Sequence, residues 1–167
     1  DSIGARSPSF FTLDHWERNP RYCLENALEF VDMEYEWCFN SRERRVYLKL
    51  PDTWHPDSLQ IMTPVSEGLL AFNGVEGWSV SNLQFKDITF RYSMWAIPAR
   101  GYAGVQACHF DAFTDDQGWG VVPAAVGGKW MTDIVFEGCT FEHLGGSGVW
   151  LGTGSRDCSV LGCSFAD

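Results

Sequence analysis

Asn82-Leu83-Gln84-Phe85-Lys86-Asp87-Ile88-Thr89-Phe90 aligns without a gap on Asp133-Ile134-Val135-Phe136-Glu137-Gly138-Cys139-Thr140-Phe141, and again on Asp157-Cys158-Ser159-Val160-Leu161-Gly162-Cys163-Ser164-Phe165. The three copies start 51 and 24 residues apart. Each reads Asn/Asp, apolar, variable, apolar, variable, Asp/Gly, apolar, Thr/Ser, Phe: a short strand, a kink at a turn-forming residue, and a second short apolar stretch. A 24-residue repeat fits one coil of an all-β, parallel β-solenoid.

One such coil cannot cover its own apolar residues. Stacking coils in parallel places like on like and pairs each backbone group with the coil above and below. The alignment predicts an aromatic ladder of Phe90, Phe141 and Phe165, a second ladder of Ile88, Cys139 and Cys163, and polar corners at Asn82, Asp133 and Asp157. Cys139 and Cys163 then read as small buried hydrophobes with reduced thiols. The 51-residue offset reads as one coil enlarged by excursions over Arg91 to Tyr102 and Asp111 to Gly120, where the last coil has only Glu142-His143-Leu144-Gly145-Gly146. Ser147-Gly148-Val149-Trp150-Leu151-Gly152 takes Ala103-Gly104-Val105-Gln106-Ala107 as its counterpart, Val122-Pro123-Ala124-Ala125-Val126 reads as an extra strand, and Leu69 to Gly74 as the matching strand one coil earlier.

Residues 1–66 lack the repeat. Glu36-Trp37-Cys38-Phe39, a polar turn Asn40-Ser41-Arg42-Glu43-Arg44, and the alternating Arg45-Val46-Tyr47-Leu48-Lys49-Leu50-Pro51 form a β-hairpin pattern. The change of architecture falls near Pro64 to Glu67, which divides the chain into a hairpin-containing segment, 1–66, and coils over 67–167.

The composition of the 167-residue chain agrees with a folded segment: 45% apolar and 15% aromatic, with 8 Trp and 12 Phe. Net charge is -10, spread over both halves, so no basic surface is offered to nucleic acid or anionic lipid. No apolar run is long enough for a membrane span and no signal-peptide order opens the chain. The start at Asp1 without Met and the stop just after a strand-like run read as cuts from something longer. Six Cys, none spaced C-x-x-C, make neither a disulfide scaffold nor a zinc ribbon. No metal and no cofactor is expected.

Phosphate-cradling and nucleophile-elbow patterns fail. Gly127-Gly128-Lys129-Trp130 lacks the upstream Gly and the hydroxyl, and Gly145-Gly146-Ser147-Gly148-Val149 breaks G-x-S-x-G at Val149. What remains is an acidic, aromatic set comprising Asp111, Asp115, Asp116, Glu142, His143 and Asp167, with Trp95, Tyr102, Trp119 and Trp150 close by in the coil scheme. Sugar rings lay their apolar faces on Trp and Tyr, and glycosidic cleavage needs two carboxyl groups in different protonation states. Most exposed carboxylates only solvate a surface, and Trp side chains also seal coil ends.

Tyr22-Cys23-Leu24-Glu25-Asn26-Ala27, Glu36-Trp37-Cys38-Phe39, Val46-Tyr47-Leu48-Lys49-Leu50-Pro51, Gly101-Tyr102-Ala103-Gly104-Val105-Gln106-Ala107 and Phe141-Glu142-His143-Leu144-Gly145-Gly146-Ser147-Gly148 together resemble a family of large right-handed parallel β-helix proteins. Some members are polysaccharide-degrading glycoside hydrolases, fucosidases and xylanases among them. The resemblance implies a right-handed parallel β-helix, a polysaccharide or oligosaccharide partner, no cofactor, and an extracellular or secreted full-length protein. It also implies reactive carboxylates on one face of consecutive coils, at or beyond the C-terminal end of this chain. Asp167 is then the first candidate acid or nucleophile, with Glu142 and His143 at the matching turn one coil earlier, and Trp95, Tyr102, Trp119, Trp150 and Asp116 as sugar contacts. A non-catalytic β-helix that binds glycan or serves as a surface module is the alternative.

Overall fold

The computed structural model describes residues 24–96, 110–115 and 118–166. The chain divides into two compact units, Asp1–Ile61 and Met62–Asp167. In the first, strands β1 (Trp37–Asn40) and β2 (Arg45–Leu48) pair antiparallel with Cys38 opposite Tyr47. This is the expected hairpin. Asn40 closes its turn by accepting the N–H groups of Arg42 and Glu43 at 3.1 and 3.2 Å, and Arg44 takes the left-handed backbone, φ 56. Single 3-10 turns, Leu28–Phe30 and Pro56–Ser58, flank the hairpin in sequence.

The second unit is all-β and mostly parallel. Its strands are β3 (Leu70–Asn73), β4 (Val80–Lys86), β5 (Thr89–Ser93), β6 (Phe110–Asp115), β7 (Gly118–Val121), β8 (Ala124–Lys129), β9 (Met131–Glu137), β10 (Thr140–Leu144), β11 (Ser147–Leu151), β12 (Ser159–Leu161) and β13 (Ser164–Ala166). Three parallel three-stranded sheets run β3-β8-β11, β4-β9-β12 and β5-β10-β13. Each sheet takes one strand from each of three successive layers of chain. The register places Phe85, Phe136 and Val160 in one row and Phe90, Phe141 and Phe165 in another. The aromatic ladder therefore forms as the alignment predicts.

Two expectations are corrected. Ser147–Leu151 pairs with Ala124–Gly128, and this same strand pairs onward with Leu70–Asn73, so β8 is the true counterpart of β11, and not Ala103 to Ala107, which lies outside the described residues. Gly127 and Gly128 explain the choice: a Cβ on either would run into the backbone of Trp150 or Phe72, so only a strand without side chains at these positions fits between them. Arg91, Tyr92 and Ser93 belong to β5 rather than to an excursion. A single insertion over 94–123, which carries the antiparallel pair β6-β7, stands where the next layer has Gly145 and Gly146.

A plain strand points alternate residues inward. In the middle layer the inward residues are Met131, Ile134, Phe136, Cys139, Phe141 and Leu144, which step alternately by three and by two. The extra outward residue in each longer step has a left-handed backbone: Asp133 (φ 54), Gly138 (φ 63) and His143 (φ 50). The first layer repeats this at Asn82, Asp87 and Tyr92, and the last at Asp157 and Gly162. Left-handed columns thus fall every five residues, and the polar corners predicted at Asn82, Asp133 and Asp157 are one of them. The middle layer is sealed on both sides, with Met131, Ile134, Phe136, Cys139 and Phe141 no more than 1% exposed. The outer layers keep one open side, so Ile88 and Phe165 remain exposed within their ladders.

Candidate functional site

After Phe90 and Phe141 turn into the core, the next two residues of β5 and β10 point away from it. Arg91 lies opposite Glu142 in the parallel register, with Nη1 3.8 Å from Oε1. Tyr92 and His143 follow, their rings stacked with centroids 5.5 Å apart and planes 9° from parallel. The Arg91 guanidinium carbon stands 5.2 Å from the Tyr92 ring centre, a cation–π contact. A guanidinium, a carboxylate, a phenol and an imidazole are thereby gathered on one exposed strip, with Glu142 30% and Arg91 55% exposed in their side chains.

The strip ends at the step Gly145-Gly146. Gly145 N–H donates to Ser93 C=O at 2.9 Å, and any Cβ on Gly145 would collide with the backbone of Met94 and Trp95. A Cβ on Gly146 would meet the carbonyl of Pro123. The two glycines therefore receive the outgoing and the returning ends of the insertion over 94–123. This puts the start of the insertion, Trp95, beside the end of β10, as the coil scheme expected for the Gly145-Gly146 turn.

Of the residues singled out in the sequence, Glu142 and His143 are neighbours on β10, and Trp95 meets that strand's end through its backbone at Gly145. Trp119 lies on β7, within the insertion. Trp150 lies on β11, in the sheet shared with β8 rather than the one carrying Glu142. Tyr102, Asp116 and Asp167 fall outside the described residues. Arg91 and Tyr92 were missed, although the signal was present: carrying the 51-residue alignment two positions past Phe90 and Phe141 sets Arg91 on Glu142 and Tyr92 on His143.

Elsewhere, Lys86, Glu137 and Glu36 are committed to structure. Glu137 accepts from Lys86 Nζ at 2.7 Å and from Gln84 Nε2 at 2.8 Å; the Lys86 hydrogen bond and charge hold its carboxyl below the ordinary range and raise the Lys86 ammonium. In the N-terminal unit, a cleft lined in part by Phe30, Tyr35, Glu36 and Trp37 contains one such carboxylate. Glu36 is occupied by the N–H groups of Met33 and Asp32, at 2.8 and 2.9 Å, which lower its pKa. Among the described residues no group of three or more His, Cys, Asp or Glu is placed to hold a metal ion. Nor, among them, is any helix long and apolar enough to cross a membrane. No protein-family model matches the chain, and neither a curated protein nor a solved structure matches it.

Proposed function

We propose that the chain is part of a polysaccharide-active, glycoside hydrolase-like protein built as a right-handed parallel β-helix, and that the outer strip of β5 and β10 forms part of its sugar groove. One observation carries this reading. Glu142 and His143 stand on a parallel strand stack beside the Gly145-Gly146 step that receives both ends of an insertion carrying two Trp, one Tyr and three Asp. Aromatic faces with carboxylates between them suit a pyranose ring and its hydroxyl groups. Within this reading Asp167 and Glu142 are the paired carboxylates, one protonating the leaving oxygen and the other acting as nucleophile or base. Trp95, Tyr102, Trp119, Trp150 and Asp116 are its sugar contacts.

The Arg91–Glu142 pair favours a second reading, a non-catalytic glycan-binding module, because a guanidinium and a carboxylate side by side, Nη1 3.8 Å from Oε1, present hydrogen-bond donors and acceptors together to sugar hydroxyls. Calorimetric binding of soluble xylan and fucosylated xyloglucan oligosaccharides, run alongside release of reducing ends, separates the two. An enzyme binds and cleaves, and its Asp167→Asn and Glu142→Gln variants still bind but lose turnover, since the amide keeps the shape without the proton chemistry. A binding module binds without cleavage. Absence of binding to the whole panel rejects both readings.

A further inference from the structure

The cleft of the N-terminal unit has a volume of about 430 Å³, within the span of roughly 300–1,000 Å³ usual for small-ligand sites. Its lining comes from one stretch of chain, residues 24–37. Phe30, Tyr35 and Trp37 bring three aromatic rings to it, 41%, 58% and 60% exposed, and Glu25 and Glu36 bring two carboxylates. Among the described residues, no Lys, Arg or His lines it. The stretch itself holds five acidic residues, Glu25, Glu29, Asp32, Glu34 and Glu36, and no basic one.

The groups that matter are held in place without being neutralised. Glu36 Oε2 accepts the N–H groups of Met33 and Asp32 at 2.8 and 2.9 Å, which fix the carboxylate and keep it ionised but bring no countercharge. Lys49, joined to Tyr35 and Glu36 by backbone hydrogen bonds of 2.8 and 2.9 Å, adds a smaller effect on Glu36 from outside the lining. Trp54 meets the Tyr35 ring edge to face at 5.8 Å, and Trp37 is set in β1 opposite Leu48. Aromatic faces are themselves electron-rich, so rings and carboxylates attract the same sign of charge.

We propose that this cleft binds a small organic cation, a methylated ammonium ion, between the rings of Phe30, Tyr35 and Trp37 and the charges of Glu25 and Glu36. An anion is repelled by the acidic stretch. A neutral apolar ligand uses the rings but strips water from carboxylates it cannot satisfy. A cation whose charge is spread over methyl groups meets both halves of the lining and is itself weakly hydrated, so it gives up little on entering. The inference concerns the N-terminal unit alone and stands apart from the glycan reading of the β5–β10 strip.

The test is calorimetric titration of the 167-residue chain with choline and, separately, with 3,3-dimethylbutanol, which has the same shape without the charge. Choline is expected to bind at least about tenfold more tightly than the alcohol. Trp37→Leu, which keeps apolar area but removes the ring, and Glu25→Gln, which removes one charge at an exposed position, are each expected to weaken choline binding several-fold with an unchanged Tm. If Trp37→Leu does not fold, Glu25→Gln decides alone. No choline binding, equal affinity for the alcohol, or parent-like affinity in the folded variants overturns the proposal. So does binding to phosphatidylcholine vesicles without binding to free choline, because a site complete in this cleft takes the head group alone. None of these outcomes touches xylan or xyloglucan binding, which tests the glycan reading separately.

Discussion

The Phe141 and Phe165 rings lie face to face across adjacent layers, with centroids 4.7 Å apart and planes only 5° from parallel. Phe90 stacks on the opposite face of Phe141 at 5.1 Å. Phe141 is thus enclosed between two rings, while Phe165, 55% exposed, has a neighbour on one side.

This asymmetry sets the cost of truncation. Phe141→Ala removes a buried ring from a packed ladder and is expected to cost about 3–5 kcal/mol. Phe165→Ala gives up less burial and is expected to cost about 1–2 kcal/mol. Urea unfolding of both variants measures the difference; equal losses would show that Phe141 is not the sealed member of the ladder.

Gly128→Ala forces a methyl group onto the carbonyl of Phe72, where neither strand has room to retreat, and is expected to destabilise by about 1–3 kcal/mol or more. Gly68 has nothing within 4 Å of an added Cβ. Gly68→Ala is the matched control and is expected to stay within about 0.5 kcal/mol of the parent. The pair is read by thermal melting.

Acid weakens the contact between β4 and β9. The Glu137 carboxyl titrates lower in the folded chain than in the unfolded one, so its contribution is complete above the unfolded pKa and disappears as pH falls through the folded pKa. Lys86 has the opposite sign: its pKa is raised, and its contribution disappears only as pH rises through that raised value. Melting curves from neutral pH down to about pH 3 are expected to show a steeper loss of Tm for the parent than for Glu137→Gln. Parallel curves for the two proteins would remove the Lys86–Glu137 contact as a source of stability.

Cys38, Cys139, Cys158 and Cys163 are free thiols. Cys139 and Cys163 sit on adjacent layers, each Sγ directed at a backbone carbonyl, Phe85 and Phe136 respectively, at 3.5 Å. Thiol titration without reductant is expected to find Cys139 silent in the native chain and all four reactive on unfolding. Two missing thiols mapped to Cys139 and Cys163 would contradict this.

Much of the layered architecture was legible because its cause is local and repeated. A kink-forming Asn, Asp or Gly followed by spaced apolar residues is visible in any one copy, and the gapless offsets supply the register of Phe90, Phe141 and Phe165 directly. The pairing of β8 with β11 was harder to see, because what selects it is the absence of side chains at Gly127 and Gly128, and an absence leaves no apolar pattern. The third left-handed column was hidden for the converse reason. Tyr92 and His143 are not turn formers, so nothing in their chemistry announces the kink, and only the spacing from Asp87 and Gly138 points to it. Glu142 and His143 are marked in the sequence by their place after a ladder residue and before a Gly-Gly turn, whereas Arg91 and Tyr92 run straight on into a long insertion, so their stretch looks like the start of a loop.

The alternation of three-residue and two-residue steps also bears on misassembly. Flat parallel strands can slide past one another by two residues and still bury the same face, a fault that seeds amyloid-like stacking. Here a two-residue slide would set each left-handed residue against a regular one and turn part of the apolar row outward; the pattern returns to itself only after five residues. The kinks therefore work as a vernier, in which two strands agree at one setting and disagree at the settings on either side, so that a chain built from near-identical layers is kept from pairing out of step.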